Sequence, residues 1–237
     1  MASPGPFHGN YAETFDRTGA VFLGRFTDGQ NWVDYLPGIA KGFRVDISPV
    51  TAYLQDANNG NVNATDLAIG GTTSGDVNVI NTVLPKPVLR SFLDQITAYI
   101  NSPGLKTDDL CVIWIGANDF AAAIDPVKTV TNIKSQIARL SKKAGVKNFF
   151  VLTVPDFALT PQEKALGRAT VLAATQFVVT TNVLLAVELP RFAFANQIRI
   201  DLVDINAIFA QVIFNRPGLA LRTVVGPLMS RIMGPCL

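Results

Sequence analysis

Two short stretches of this chain combine glycine with small polar side chains: Gly70-Gly71-Thr72-Thr73 and Gly116-Ala117-Asn118-Asp119. Backbone N–H groups beside glycine, together with a side-chain amide, are the groups that hold negative charge as it develops on an oxygen. Two further stretches, Pro155-Asp156 and Asp204-Ile205-Asn206, add carboxylates and another amide. Taken singly, each has a plainer reading. Gly70-Gly71 suits a tight turn, Asn118-Asp119 an Asx turn capping the next segment, and Thr72 and Ser74 local hydrogen bonds. Groups for covalent or metal chemistry are sparse. The only histidine is His8; Cys111 lies in an apolar run and reads as a small buried side chain, and Cys236 is next to last. Their spacing supports no disulfide, and no cluster of His and Cys suggests a metal or other cofactor.

Short apolar runs alternate with helical patterns along the chain, which predicts an α/β fold with a parallel sheet. Leu110 to Ile115 is an unbroken apolar run closed by Gly116, the pattern of a strand covered on both faces. Val127, Val130, Ile133, Ile137, Leu140 and Ala144 then recur at spacings of three and four. Pro126 opens that helix, Lys142 and Lys143 occupy its last turn, and Gly145 stands at the C-cap position. Phe149 to Val154 is the next strand, stopped by Pro155. Further strands are expected at Asp66–Ile69 and Ile198–Val203, and helices at 30–39, 88–100 and 161–190, with a break in the last left open. The four stretches named above all fall where these strands end, which is where open parallel sheets carry their working sites.

The chain has 237 residues, 49% of them hydrophobic and 16% charged, with a formal net charge of +2. That is enough to bury one sizeable core, and no boundary forces a second domain, so residues 1–237 read as one domain. The charges form no basic stripe, so nucleic acid is not an expected partner. The leading residues MASPGPFHGN have neither the basic nor the apolar region of a signal peptide. The longest apolar stretch, Val171 to Val187, is interrupted by Thr175, Gln176, Thr180, Thr181 and Asn182. It predicts a long, mostly buried helix in place of a membrane span.

Four segments resemble a known family. Gly24 to Leu36 (GRFTDGQNWVDYL) is similar to the GRFSNGPVWVDYL segment that comes after the first motif of SGNH/GDSL-family lipases and esterases. Asp66 to Gly75 (DLAIGGTTSG) resembles the second motif, NFAxGGATT, and Trp114 to Phe120 (WIGANDF) the third, GxND. Gly145 to Asp156 (GVKNFFVLTVPD) resembles GARxFLVxxLPD, and Asp204-Ile205-Asn206 also matches. The segments stand in family order over roughly residues 9 to 215, which makes the combination specific where GxND alone is not. The resemblance implies a flavodoxin-like three-layer α/β/α sandwich and hydrolysis of acyl or acetyl esters of lipids or carbohydrates. In such enzymes a serine attacks the ester carbonyl, a histidine takes its proton and an aspartate orients the histidine. By position, Asn118 supplies the amide donor of the oxyanion hole and either Gly70 or Gly71 the backbone donor. Asp204 precedes the expected triad aspartate and reads as structural. A secreted location is also implied by the family.

The family's attacking groups find no match. The first motif, GDSLSDTGN, laid just before Gly9-Asn10, puts Pro4 at the nucleophile position, Ser3 one place away and Phe7 where its second aspartate belongs. Proline has no hydroxyl. The DxxH motif is expected beyond Gly234-Pro235-Cys236-Leu237, and His8 matches no position of it. The expectation is therefore a family middle without its catalytic ends or first strand: a truncated or catalytically inactive relative that keeps the charge-stabilising half of the site.

Overall fold

A computed structural model of the chain describes residues 47–49, 64–82, 90–101 and 107–214. Expectations for Ser3, Pro4, His8, the helix at 30–39 and the C-terminal tail lie outside these residues. The chain divides into two compact units, one within Met1–Asp109 and Asn118–Lys147, the other within Leu110–Ala117 and Asn148–Leu237.

In the first unit, strands β1 (Ile47–Pro49) and β2 (Ala64–Asp66) pair in parallel, Ile47 opposite Ala64. The strand expected at Asp66–Ile69 thus ends where it was to begin. Leu67 to Ile69 leave the ladder because the Thr72 hydroxyl donates to the Ile69 carbonyl (2.6 Å) and folds the segment into a loop. Helix α1 (Phe92–Asn101) starts four residues later than expected. Ser91 fixes that start: its N–H and hydroxyl donate to Asp94 Oδ2, and its Oγ accepts from the Asp94 N–H, a reciprocal cap.

The short helix α2 (Ala117–Ala121) precedes α3 (Pro126–Arg139), whose first turn is capped by Asp125 accepting from the Lys128 N–H at 2.9 Å. Pro126 stands where a missing N–H costs nothing. The face carrying Val130, Ile133, Ile137, Leu140 and Ala144 is buried as the spacing predicts, whereas Val127, in the first turn, is exposed. The last turn widens to a π-turn (Leu140–Ala144) and closes on Gly145 in the left-handed conformation, its N–H donating to Leu140 and Ser141. Thr107 Cγ2 lies 2.8 Å from where a Cβ would stand on Gly145, so glycine is required there for space as well as for φ. α1 packs on α3 and its π-turn, Phe92 and Ile96 supplying its buried side, and Arg139 Nη2 donates to Thr97 Oγ1 at 3.0 Å.

The second unit is built on a parallel sheet in the order β3 (Leu110–Ile113), β4 (Asn148–Leu152), β5 (Arg199–Val203). Leu110 faces Asn148, and Leu152 faces Val203. β4 is the central strand and buries Phe149, Phe150 and Val151. β3 corrects the sequence reading: Leu110 (42%) and Val112 (45%) are exposed, and Cys111 is half-buried. An apolar run signals that both faces tolerate burial, and only the Ile113 side receives it here.

The segment expected at 161–190 is two helices, α4 (Pro161–Ala165) and α5 (Arg168–Asn196), broken at Gly167. α5 continues through Pro190, whose ring lies on the exposed side beside exposed Ala186, so water can satisfy the carbonyl the proline frees. One face of α5 is buried through Ala174, Phe177, Val178, Thr181, Leu185, Leu189 and Ala193, and the helix packs on β5. The opposite face carries Leu172, Val179, Val183, Val187 and Phe194, all exposed, Phe194 at 89%. The helix is long and apolar but not mostly buried, which corrects the expectation. By length and composition alone it could cross a membrane, and a single helix of that kind is weak evidence for a span. Helix α6 (Ile205–Phe214) comes after β5, started by Asp204 Oδ1 accepting from the Asn206 and Ala207 N–H groups. The fold class is α/β with a parallel sheet and helices, as the alternation predicts and consistent with the three-layer α/β/α arrangement.

Candidate active site

The loop from Ile69 to Asn78 is fixed mainly by its own backbone and short polar side chains. Gly71 has φ +76°, and a Cβ there would stand 2.5 Å from Ile80 Cδ1 and 2.7 Å from Asn78 Oδ1. Any other residue would be strained in conformation and would have to displace the Ile80 and Asn78 side chains. The Gly71 carbonyl accepts from the Val79 N–H (2.8 Å) and the Gly70 carbonyl from Asn78 Nδ2 (3.0 Å). Thr73 donates from its N–H (3.0 Å) and its hydroxyl (2.7 Å) to the Val77 carbonyl. Gln95 of α1 donates to Thr72 Oγ1 at 3.0 Å. Thr72, Thr73 and Ser74 are buried, and a buried loop is stable only with its polar groups paired in this way.

Asn118 and Asp119 approach this loop from α2. Asn118, half-buried, donates from Nδ2 to the Thr72 carbonyl at 3.0 Å, across 46 residues of sequence. Asp119 is fully buried. Its Oδ2 accepts from the Ser74 N–H at 2.8 Å, and its Oδ1 accepts from the Ser74 hydroxyl in a short hydrogen bond and from Thr129 Oγ1 at 3.0 Å. Asn132, one turn along α3 from Thr129, donates to Ser74 Oγ at 3.0 Å. Burial raises the Asp119 carboxyl above the ordinary aspartate value of 3.8, against the hydrogen bonds from Ser74 and Thr129 that favour its ionised form.

The first two sequence stretches therefore meet, within the first unit. The other two meet within the second: the Asp156 N–H donates to Asn206 Oδ1 (2.7 Å), and Asn206 Nδ2 donates to the Val154 carbonyl (2.9 Å). Asn182 of α5 completes that group, accepting from the Val154 N–H (2.8 Å) and donating to its carbonyl (2.9 Å). Sequence reasoning missed the partners. Ser74 bonds across 45 residues to Asp119, not locally, and Asp119 closes no Asx turn of its own. Thr129 and Asn132 gave no signal on an exposed-looking helix face. Asn182 had one, as an amide in the middle of an apolar helix.

Comparison with known proteins agrees with the motifs. The model of the GDSL-like Lipase/Acylhydrolase family matches residues 9–205, most of the chain, and the protein belongs to that family. It is also similar to the phosphatidylcholine-sterol acyltransferase of Aeromonas hydrophila, with 24% identity over 148 residues. The matched part is 61% of this chain and 38% of that relative, so the chain spans well under half of the longer protein.

Proposed function

We propose that the chain forms one domain of an acyl hydrolase acting on carboxylic esters, with the Asn118 side-chain amide and the N–H of Gly70 or Gly71 as oxyanion donors. The observation that carries this reading is the Asn118 Nδ2 bond to the Thr72 carbonyl, which holds the amide beside the glycine turn. One Nδ2 proton is spent on Thr72, and the other is the donor offered to substrate. Attack on an ester carbonyl converts its oxygen to an oxyanion. Donors already fixed at that position stabilise the tetrahedral intermediate without reorganising. The intermediate, formed when water adds to the carbonyl carbon, then collapses: the C–O bond to the alcohol breaks, the alcohol leaves with a proton from that water, and the acyl group is released as the carboxylic acid. The expected substrates are small acyl esters, lipids or acylated carbohydrates. The relative named for phosphatidylcholine and sterol supports a lipid acyl ester among them.

The test is hydrolysis of p-nitrophenyl butyrate by the purified chain and by Asn118→Ala. Turnover that falls by about 10²–10³ in the variant is expected, the usual loss for one oxyanion donor. No turnover above buffer in the intact chain counts against the hydrolase reading. Pro4 at the aligned nucleophile position favours a second reading in that case, a cleft that binds acyl esters without cleaving them. Thermal shifts with acylated sugars and lipids would then be expected, and their absence would count against binding as well.

A further inference from the structure

Asp119 is a buried carboxylate that the acyl-transfer chemistry does not use. Being fully buried, it cannot touch a substrate. Its neighbour Asn118 is half-buried and carries the proposed donor. The two consecutive residues reach alternate positions of the same loop: Asn118 takes the Thr72 carbonyl, and Asp119 takes the Ser74 N–H and hydroxyl. A single contact between α2 and the loop would leave a rotation free, whereas contacts at positions two apart remove it. α3 braces the pair from its own side, Thr129 Oγ1 donating to Asp119 and Asn132 Nδ2 donating to Ser74 Oγ. Close packing alone could press the loop against the helix. A carboxylate that accepts from two donors on one residue also sets the register between them, at the cost of burying a charge.

We propose that Asp119 is the positioning residue of the oxyanion site, gripping Ser74 so that the Gly70–Ser74 loop and the Asn118 amide keep one fixed geometry. The proposal rests on the oxyanion reading given above. A displacement of about 1 Å in such a site can lower turnover about 10²-fold without altering substrate contacts.

The test compares the intact chain with Asp119→Asn and Ser74→Ala. The first readout is the solvent-exchange rate of the Asn118 Nδ2 protons by NMR, assigned by their disappearance in Asn118→Asp. The second is kcat and KM for p-nitrophenyl butyrate. In a cooperatively melting Asp119→Asn protein, Asn118 exchange is expected to quicken about ten-fold, the equivalent of one lost hydrogen bond. kcat is expected to fall about 10²-fold with KM held within about two-fold, a split that general destabilisation does not produce. If Asp119→Asn does not fold, Ser74→Ala carries the same comparison, because it keeps the Ser74 N–H bond to Asp119 and removes only the hydroxyl. Unchanged Asn118 exchange in a folded variant overturns the proposal. A wild type that cleaves no ester counts against the hydrolase reading instead, and the exchange comparison still decides the role of Asp119.

Discussion

Gly71 and Asp119 are the two residues whose substitution reports most sharply on the loop. Gly71→Ala must place a Cβ in a left-handed conformation and against the Ile80 and Asn78 side chains. A loss of about 1–3 kcal/mol in urea unfolding is expected. Gly75→Ala is the milder comparison: it needs no positive φ, and its Cβ would press only on Asn132 Nδ2, 3.3 Å away, the donor to Ser74 Oγ. A smaller loss there than at Gly71 separates backbone strain from a displaced side-chain contact. Asp119 makes stability depend on pH with a defined sign. Its folded pKa lies above the ordinary value of 3.8, so the folded state holds the proton more tightly than the unfolded chain. The contribution of this group is fully present below the unfolded value and is lost as pH rises through the raised folded one. Against Asp119→Asn, which has no such titration, the wild-type melting temperature should lose ground as pH rises above 3.8. A gap that moved in the opposite direction would mean that the hydrogen bonds from Ser74 and Thr129 outweigh burial.

At the level of the elements, α5 carries two polar residues with opposite consequences. Asn182 pairs both the N–H and the carbonyl of Val154. Asn182→Leu strands the buried Val154 N–H, while the carbonyl keeps its bond from Asn206 Nδ2, with an expected cost of about 1–3 kcal/mol read from the shift in unfolding midpoint. Thr181 is fully buried, and its hydroxyl has no hydrogen-bond partner among the described residues. Thr181→Val keeps the branched shape and removes the stranded oxygen, so its melting temperature should equal or exceed that of wild type. The contrast between adjacent positions tests whether α5 is held by specific polar pairing at the end of β4 or by apolar burial alone. The exposed stripe from Leu172 to Phe194 belongs to the same helix, and substitutions such as Phe194→Ser should change stability by no more than about 0.5 kcal/mol.

Across the whole molecule, what the sequence made legible was set by the range of each interaction. The helix from Pro126 to the Gly145 cap could be read because periodicity, the opening proline and the closing glycine are all local signals. The strands at Leu110, Asn148 and Arg199 could be read for the same reason, as short apolar runs with definite stops. Burial was less readable. The apolar runs of β3 and α5 are permissive on every side, and only tertiary packing decides that Val112 and Val183 stay exposed. Gly70, Gly71 and Asn118, the proposed donors, were marked by motif type and order, while the bonds from Ser74 to Asp119 and from Asn132 to Ser74 carried no such mark. Serine, threonine and asparagine are common on loops and helix faces, and nothing in a linear chain marks which pair across 45 residues or more.

The central claim is that the Asn118 amide and one glycine N–H form a preorganised oxyanion site. Its most direct test is an NMR titration of the chain with butyrate, whose carboxylate is the acid product of the proposed reaction and presents an oxygen to the same donors. Saturable downfield shifts are predicted for the Asn118 side-chain protons and for the N–H of either Gly70 or Gly71, with binding weakened in Asn118→Ala. Saturable binding that leaves these N–H groups unmoved, or that is unaffected by Asn118→Ala, would contradict the claim.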